Sequence, residues 1–239
     1  MEYYYTDKKN IDIKNNIILF KDFSYRHLVT VLRKKVNDII TSTDGEYNIY
    51  KCKILKIDRN LITAKIVNHI KNTDEVKLDV TLFISQLKNS ERFEFAVEKA
   101  AEIGVNRIYP LITVNTIPKE RFSSSRISRM KKIILSAVEQ SQRCFLPVFN
   151  DSVTFEEMIK LTNESKFKIV MFEFEDSKNK ICHSNIKNDC VLLIGPEGGF
   201  RNSEIEKLKK NGWYTYSLGN RKLRSETAAI LSLYEILRT

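Results

Sequence analysis

The sequence predicts an α/β protein in which a small β-rich module precedes a larger region of alternating strands and helices. Strand-like alternation of apolar and polar residues dominates residues 17–71. From about residue 73, apolar strand-like runs alternate with helical patterns, which favours a mostly parallel sheet covered by helices on both faces. The length of 239 residues fits one large domain, or one medium domain with a small companion.

The first module is predicted from two turns and one helical pattern. The turn at 43–46 contains an Asp-Gly pair, which favours positive φ between two strands, and a second turn at 58–60 leads into the strand LITAKIV. Upstream, SYRHLVTVLRKK has apolar residues at helical spacing, and Ser24 is predicted to cap that helix. Short strands around one short helix indicate a small barrel-like module, and its boundary is expected after residue 72.

The second region alternates strands with capped helices. A helix is predicted over Asn89–Ile103 with its end at Gly104, and a long basic helix over 125–143. Capping boxes are predicted at Thr154 with Glu157 and at Ser203 with Glu206, and Ser225 is expected to open the last helix. The predicted strands are KLDVTLFIS, RIYPLIT, FKIVMFEF, DCVLLIG and WYTYSLG.

Charge makes nucleic acid the first partner to consider. The net charge is +10, the pI is about 9.3, and the positive charge is denser in the first 72 residues. A merely lysine-rich surface is the alternative. The four cysteines form no C-x-x-C pair, which gives no indication of a metal site or a disulfide framework. No signal-peptide or membrane-spanning pattern is present, so we expect a soluble, cytoplasmic protein.

A glycine cluster marks a candidate binding loop. The segment VLLIGPEGGF holds three of the seven glycines within five positions, and a helical pattern follows it. Ligands of open α/β sheets bind where the carboxyl ends of strands meet such loops. The spacing fits neither a P-loop nor a dinucleotide fingerprint, and the acidic Glu197 disfavours a phosphate ligand. A tight strand-to-helix turn without a ligand is the alternative.

A second glycine loop follows one strand later, in LGNRKLRSETAA. Gly219 ends the strand, Arg221 and Arg224 place cations in the loop, and Glu226 lies in the first turn of the helix after it. Because both loops follow strands of one predicted sheet, we expect them to share a pocket.

These motifs together resemble a known family. GPEGGF with its acidic helix, followed by LG-x-R-x-LR-x-ETA, resembles the C-terminal signature of the SPOUT-class methyltransferases that form N3-methyluridine in 16S ribosomal RNA, the RsmE family. EKAAEIGVNRIYPL, AVEQSQRCFLP and RHLVTVLR resemble further family segments, so the resemblance covers nearly the full chain. One departure follows VLR: the family often has a Gly-Asp pair there, whereas this chain has Lys34 and Lys35.

The resemblance implies a fold, a cofactor and partners. It implies a PUA-like RNA-binding barrel over 1–72, and a SPOUT methyltransferase domain with a C-terminal trefoil knot over 73–239. It further implies S-adenosylmethionine as methyl donor, 16S RNA or the small ribosomal subunit as substrate, and a homodimer. A catalytically inactive RNA-binding protein of the same fold is the alternative, and a nucleotide-dependent oxidoreductase is disfavoured because G-x-G-x-x-G is absent.

The chemistry of the residues gives catalytic and RNA-binding candidates, and the resemblance implies those that bind the cofactor. Glu139, Arg143 and Arg224 are the catalytic candidates: an arginine would stabilise a uracil oxyanion, and Glu139 or Glu197 would accept the N3 proton. For each arginine the alternative is a phosphate contact or a salt bridge, and for Glu139 it is a solvated helix face. The RNA-binding candidates, with Tyr25 beside them for stacking, are Arg26, His27, Arg33, Lys34, Lys35 and Arg143. The cofactor-binding candidates are Phe172, Glu173, Ile194, Gly195, Pro196, Glu197, Gly198, Gly199, Leu218, Gly219, Leu223, Arg224 and Ser225.

Overall fold

The computed structural model describes residues 2–71, 75–175, 186 and 189–238. The chain divides into two compact units. The first comprises Met1–Glu75 with Leu135–Leu146, and the second comprises Val76–Ile134 with Pro147–Thr239. The boundary expected after residue 72 falls in 72–74, which lie outside the described residues. The sequence did not predict that Leu135–Leu146 belongs to the first unit.

The first unit is built on a six-stranded sheet with the strand order β1-β4-β5-β6-β3-β2. Neighbouring strands are antiparallel, except that β1 runs parallel to β4. The side chains of one sheet face, among them Ile40, Cys52, Ile54 and Ile62, form a buried core. The strands are β1 (Tyr3–Tyr5), β2 (Ile11–Asp12), β3 (Ile17–Phe20), β4 (Ile39–Thr43), β5 (Asn48–Asp58) and β6 (Leu61–Lys71).

The two predicted turns join these long strands. In the first, the Asp44 carboxylate accepts hydrogen bonds from Glu46 N at 2.8 Å and from the Tyr50 hydroxyl at 3.2 Å, so one side chain fixes the turn to the strand after it. Asn60 occupies the second turn at φ +65°, a backbone conformation that asparagine tolerates better than most residues. The residues of these two turns therefore determine where the flanking strands begin and end, as predicted.

The short helix of the first unit begins earlier than predicted. Helix α1 spans Asp22–Arg26 and continues as a π-helical turn over His27–Val31. The predicted cap at Ser24 is wrong, because the N-cap position is Lys21. The Ser24 hydroxyl instead donates a hydrogen bond to Tyr5 O at 3.0 Å, so it ties the helix to β1.

Residues 135–146 contribute two buried ionisable groups to the first unit. Glu139 is 4% exposed and accepts a hydrogen bond from Tyr5 N at 2.9 Å. Arg143 is 7% exposed, and its Nε lies 3.3 Å from the carboxylate of Glu75. Glu75 Oε1 also accepts from Cys144 N at 3.0 Å. These bonds compensate charges that are costly to bury alone.

The second unit is a seven-stranded sheet in which every pairing is parallel, with the order β10-β8-β7-β12-β11-β13 and β9 beside β8. The predicted mostly parallel sheet is confirmed. Its strands are β7 (Asp79–Ser85), β8 (Arg107–Ile112), β9 (Val148–Phe149), β10 (Val153–Thr154), β11 (Lys168–Met171), β12 (Asp189–Ile194) and β13 (Tyr214–Tyr216).

Helices cover both faces of this sheet. Val191 and Leu193 of β12 share a core with residues of α4 and α5, while α6 packs on β12 and on α2. Alternate residues of β12 therefore face two apolar layers, which explains its uninterrupted apolar sequence. The helices are α2 (Ser90–Ile103), α3 (Ser124–Ser141), α4 (Phe155–Leu161), α5 (Asn202–Lys210) and α6 (Ser225–Leu237).

The predicted helix ends mostly agree with the structure. Gly104 is the C-cap of α2 as predicted, Asn89 is its N-cap and not its first residue, and Thr154 with Glu157 forms the predicted capping box. The capping box predicted at Ser203 is wrong, because α5 begins earlier and the Glu204 carboxylate accepts from Arg201 N at 2.9 Å. Ser225 opens α6 as predicted, and Arg224 occupies the N-cap position before it. No helix among the described residues is long and apolar enough to cross a membrane.

Replacing Glu139 with glutamine is expected to make stability less dependent on pH. Burial raises the pKa of Glu139 to about 7, the hydrogen bond from Tyr5 N lowers it, and Glu2 raises it. The folded protein therefore binds a proton that the unfolded chain releases above its ordinary pKa of 4.5, so stability present below pH 4.5 is lost as pH rises to 7. Glu139→Gln removes this loss, which amounts to at most about 3 kcal/mol.

Urea unfolding of the unaltered protein and of E139Q across this pH range measures the difference. The glutamine oxygen can still accept from Tyr5 N, so the hydrogen bond itself is a constant. Parallel stability curves for the two proteins would contradict a raised Glu139 pKa.

Candidate functional site

The candidate site lies at one edge of the second unit's sheet, where three neighbouring strands end. β12, β11 and β13 are adjacent and parallel, so the loops after them emerge at the same edge. Phe172 N, just past β11, donates a hydrogen bond to Tyr216 O at the end of β13, at 2.9 Å. The three loops enclose a cavity of about 320 Å³.

Every residue predicted from the sequence to bind a cofactor lines this cavity. The two glycine loops, expected to share one pocket, both contribute to it, and the loop after β11 forms a third wall. Seven lining residues were not among the predicted cofactor contacts. Three of them lie within the quoted motifs, Phe200, Arg221 and Ala228, and four carry no motif position, Met171, Phe174, Ser217 and Lys222.

The glycine loop after β12 is tightly folded. A Cβ atom on Gly195 would lie 2.8 Å from the ring of Phe200, so a larger residue there would displace that ring. Gly199 has φ +63°, and its N–H donates to Pro196 O at 2.9 Å. The glycines therefore serve a close approach and a left-handed turn, which accounts for their clustering.

Neighbouring segments brace this loop from the outside. Asn115, which follows β8, donates from Nδ2 to Gly198 O and Gly199 O, each at 3.1 Å. Lys88 N, which follows β7, donates to Glu197 Oε1 at 3.2 Å. The carboxylate of Glu204 accepts from Val114 N at 3.1 Å, so the segment after β8 also contacts the first turn of α5.

The mouth of the cavity carries positive charge. Arg221, Lys222 and Arg224 all line it with exposed side chains. Lys222 Nζ lies 3.3 Å from Oε1 of Glu173, which belongs to the loop after β11. Apolar side chains, Phe172 among them, form other parts of the wall. The cavity can therefore hold a ligand with an apolar portion and polar groups that face backbone and cations.

The catalytic candidates fall in different units. Arg224 lines the cavity, whereas Glu139 and Arg143 belong to the first unit and are not among the lining residues. The alternative of a solvated helix face for Glu139 is wrong, because this side chain is buried. Arg143 forms the salt bridge with Glu75, the alternative considered for it, and is too buried to present its guanidinium to an RNA phosphate without leaving that pair.

The remaining RNA-binding candidates lie on the first unit. Arg26, Arg33 and Lys35 are exposed, and the sequence neighbours His27 and Lys34 are half-buried. Tyr25, expected to stack on a base, packs against the apolar core instead. Phe23, two residues earlier, is 56% exposed, so it is the aromatic ring that this basic segment presents to solvent.

No group of three His, Cys, Asp or Glu side chains within the described ranges is arranged to hold a metal ion. The cavity offers a ligand backbone groups of the three loops and the side chains of its wall.

Family comparisons agree with this architecture. RNA methyltransferase domains match residues 74–236, and RNA methyltransferase PUA domains match residues 22–72. The ribosomal RNA small subunit methyltransferase E of Mesomycoplasma hyopneumoniae is 31% identical over 226 residues, or 94% of this chain and 96% of that protein. The protein of the same name from Rickettsia conorii is 31% identical over 229 residues, or 93% of this chain and 89% of that protein.

Solved structures of methyltransferases are also similar to this chain. A ribosomal RNA small subunit methyltransferase E from Neisseria gonorrhoeae, bound to S-adenosyl methionine, has a TM-score of 0.87 at 26% identity and covers 98% of this chain and 95% of its own. A Legionella pneumophila protein in complex with the cofactor SAM has a TM-score of 0.84 at 26% identity, covering 98% of this chain and 96% of its own. The expected PUA-like and SPOUT-type fold is confirmed; the trefoil knot stays a prediction. The chain belongs to the ribosomal RNA small subunit methyltransferase E family.

Proposed function

We propose that the protein transfers the methyl group of S-adenosylmethionine to N3 of a uridine in the 16S RNA of the small ribosomal subunit. The observation that carries this proposal is the cavity at the common edge of β11, β12 and β13, lined by both glycine loops of the family signature. Family membership and two similar structures that hold the cofactor support it. The intact cavity disfavours the alternative of an inactive RNA-binding protein.

The cavity fits this cofactor in size and in chemistry. Its volume of about 320 Å³ lies in the range of small-molecule sites. Phe172, Leu218 and Leu223 offer apolar wall for a purine ring, and Gly219, with no heavy atom within 4 Å of a Cβ built on it, leaves open space. When bound, the cofactor supplies a methyl group activated by a sulfonium sulfur. The loops would hold it in the orientation that in-line transfer requires.

Arg224 is the catalytic candidate best placed to act on the substrate. Uracil N3 must lose a proton, and negative charge then spreads onto the two carbonyl oxygens beside it. Arg224 lines the cavity, so its guanidinium can stabilise that charge as it develops. Glu197 also lines the cavity and is the carboxylate there that was considered as proton acceptor, with its Oε1 held by Lys88 N.

We further infer that the first unit binds the RNA and that two chains form a homodimer. The exposed basic segment with Phe23 supplies cations for phosphates and a ring for stacking.

For the dimer, Phe95 of α2 and Leu231 and Tyr234 of α6 are exposed although these two helices pack together. Exposed apolar side chains on neighbouring elements are typical of a protein interface.

The glycine loop provides the test of the proposed function. We expect 16S RNA from cells lacking this protein to lack one N3-methyluridine, detected by mass mapping of nucleosides, and the unaltered protein to restore it. Gly199→Val is expected to abolish S-adenosylmethionine binding in calorimetry and to fail to restore the nucleoside. The physical reason is that a β-branched residue at φ +63° distorts the loop beside the cavity.

Gly212→Val is the matched control. Gly212 has φ +76° and does not line the cavity, so this variant carries comparable backbone strain, of about 1–2 kcal/mol, away from the site. We expect G212V to be destabilised like G199V and to bind the cofactor normally. Retained binding by G199V would count against the pocket, and an unchanged nucleoside pattern in the deleted cells would count against the activity.

Arg224→Met is expected to reduce turnover more than cofactor binding. If its charge acts as negative charge develops on the uracil, kcat falls by about 100-fold while the Kd of S-adenosylmethionine rises much less. Multiple-turnover methylation of small subunits from cells lacking the protein measures kcat, and calorimetry measures the Kd. Arg221→Met, which removes another cation of the same loop, is the comparison. A loss confined to cofactor affinity would remove Arg224 from the catalytic step.

Reversing the charges of Arg33, Lys34 and Lys35 to glutamate is expected to weaken RNA binding and flatten its salt dependence. Each lost phosphate contact on a single strand lowers the slope of log K against log salt by about 0.7, so three contacts lower it by about 2. Cofactor affinity should not change. The control variant reverses three exposed lysines of the second unit, Lys160, Lys166 and Lys210. An equal loss in both variants would indicate only a general charge effect.

A further inference from the structure

The glycine loop has two different sides because of its place in the sheet. The strand order puts β7 and β8 on one side of β12, and β11 and β13 on the other. The loops after β11 and β13 line the cavity together with the glycine loop. Asn115 contacts the glycine loop from the opposite side, from the segment after β8. Asn115 is not among the lining residues, so it contacts the loop without contacting the cavity.

The hydrogen bonds of Asn115 fix two successive peptide groups of the loop. Its Nδ2 donates to Gly198 O and Gly199 O, each at 3.1 Å. The approach is close, since a Cβ on Gly198 would lie 3.2 Å from Asn115 Cβ. Because N–H and C=O point in opposite directions in a trans peptide, holding Gly199 O on Asn115 turns the N–H of Phe200 away from it.

Asn115 is itself held in place. Thr116 Oγ1 accepts from Thr113 N at 2.8 Å and lies 2.9 Å from Thr113 Oγ1, and both threonines are buried. Val114 N, from the same segment, donates to the carboxylate of Glu204 in the first turn of α5 at 3.1 Å. The segment 113–116 is therefore a rigid support with contacts to the middle of the loop and to the helix that follows it.

We propose that Asn115 is a positioning residue for S-adenosylmethionine: it sets cofactor affinity by holding the carbonyls of Gly198 and Gly199, without contacting the cofactor. A loop that is ordered before binding spares the entropy of ordering it during binding. Losing the amide donor also leaves two carbonyls without this partner and lets the loop adopt other conformations. This inference rests on the proposed function, since it names a determinant of that same site.

The test is calorimetric titration of the full-length protein with S-adenosylmethionine. Asn115→Leu keeps the size of the side chain and removes the donor, and we expect its Kd to rise about tenfold or more, the effect of two lost hydrogen bonds. Asn115→Asp places a carboxylate against two carbonyls, so we expect a larger rise. Asn115→Gln keeps the donor on a longer side chain and is expected to recover part of the affinity.

Asn150→Leu is the matched control. Asn150 is half-buried like Asn115, and its Nδ2 also donates to two backbone carbonyls, those of Ile108 and Val148, each at 3.4 Å. A purely structural role would make both leucine variants equally less stable in thermal unfolding and would leave cofactor affinity unchanged in both. We expect affinity to fall only in N115L.

Kinetics give a second readout that a structural role would not change. In N115L we expect the KM for S-adenosylmethionine to rise, while kcat at saturating cofactor and the KM for RNA stay within about twofold. Should N115L bind as tightly as the unaltered protein, the inference is overturned and the proposed function stands. If the unaltered protein binds no S-adenosylmethionine, the proposed function fails, and this inference fails with it.

Discussion

The parallel pairing of β11 with both β12 and β13 is the constraint on which the site depends. Parallel neighbours end at one edge, so three loops that are distant in sequence meet without any long-range side-chain contact having to bring them together. The register is enforced by the buried apolar residues of β12, which face helices on both sides. A slip of one residue would exchange those two faces and shift the loop after β12 along the strand direction by about 3 Å relative to its neighbours.

The two sides of the glycine loop after β12 have different contacts. One side of the glycine loop is open to the cavity, where apolar wall, backbone and cations are available to a ligand. The other side is occupied by hydrogen bonds from Lys88 N and Asn115, which belong to loops of the adjoining strands. The loop is thus supported by parts of the sheet that do not line the cavity, which is the arrangement expected of a site ordered before its ligand binds.

Local signals in the sequence predicted much of the fold. The Gly104 end of α2, the Thr154 cap and the turn at 43–46 were predicted correctly because their hydrogen bonds join residues a few positions apart. β1 was missed, because three tyrosines show no alternation and the strand depends on pairing with β4. The surroundings of Glu139 and the contacts of Asn115 depend on long-range packing and strand order, so no spacing rule reveals them.

The first unit is discontinuous in sequence, and this affects the order in which it can form. Its interior includes Glu139 and Arg143, whose partners Tyr5 and Glu75 are made much earlier. During synthesis the amino-terminal strands therefore leave the ribosome before the groups that satisfy them, and the unit is complete only once residue 146 has emerged. A chain cut after Glu75 would expose unpaired polar groups and apolar surface, which makes such a fragment prone to aggregate.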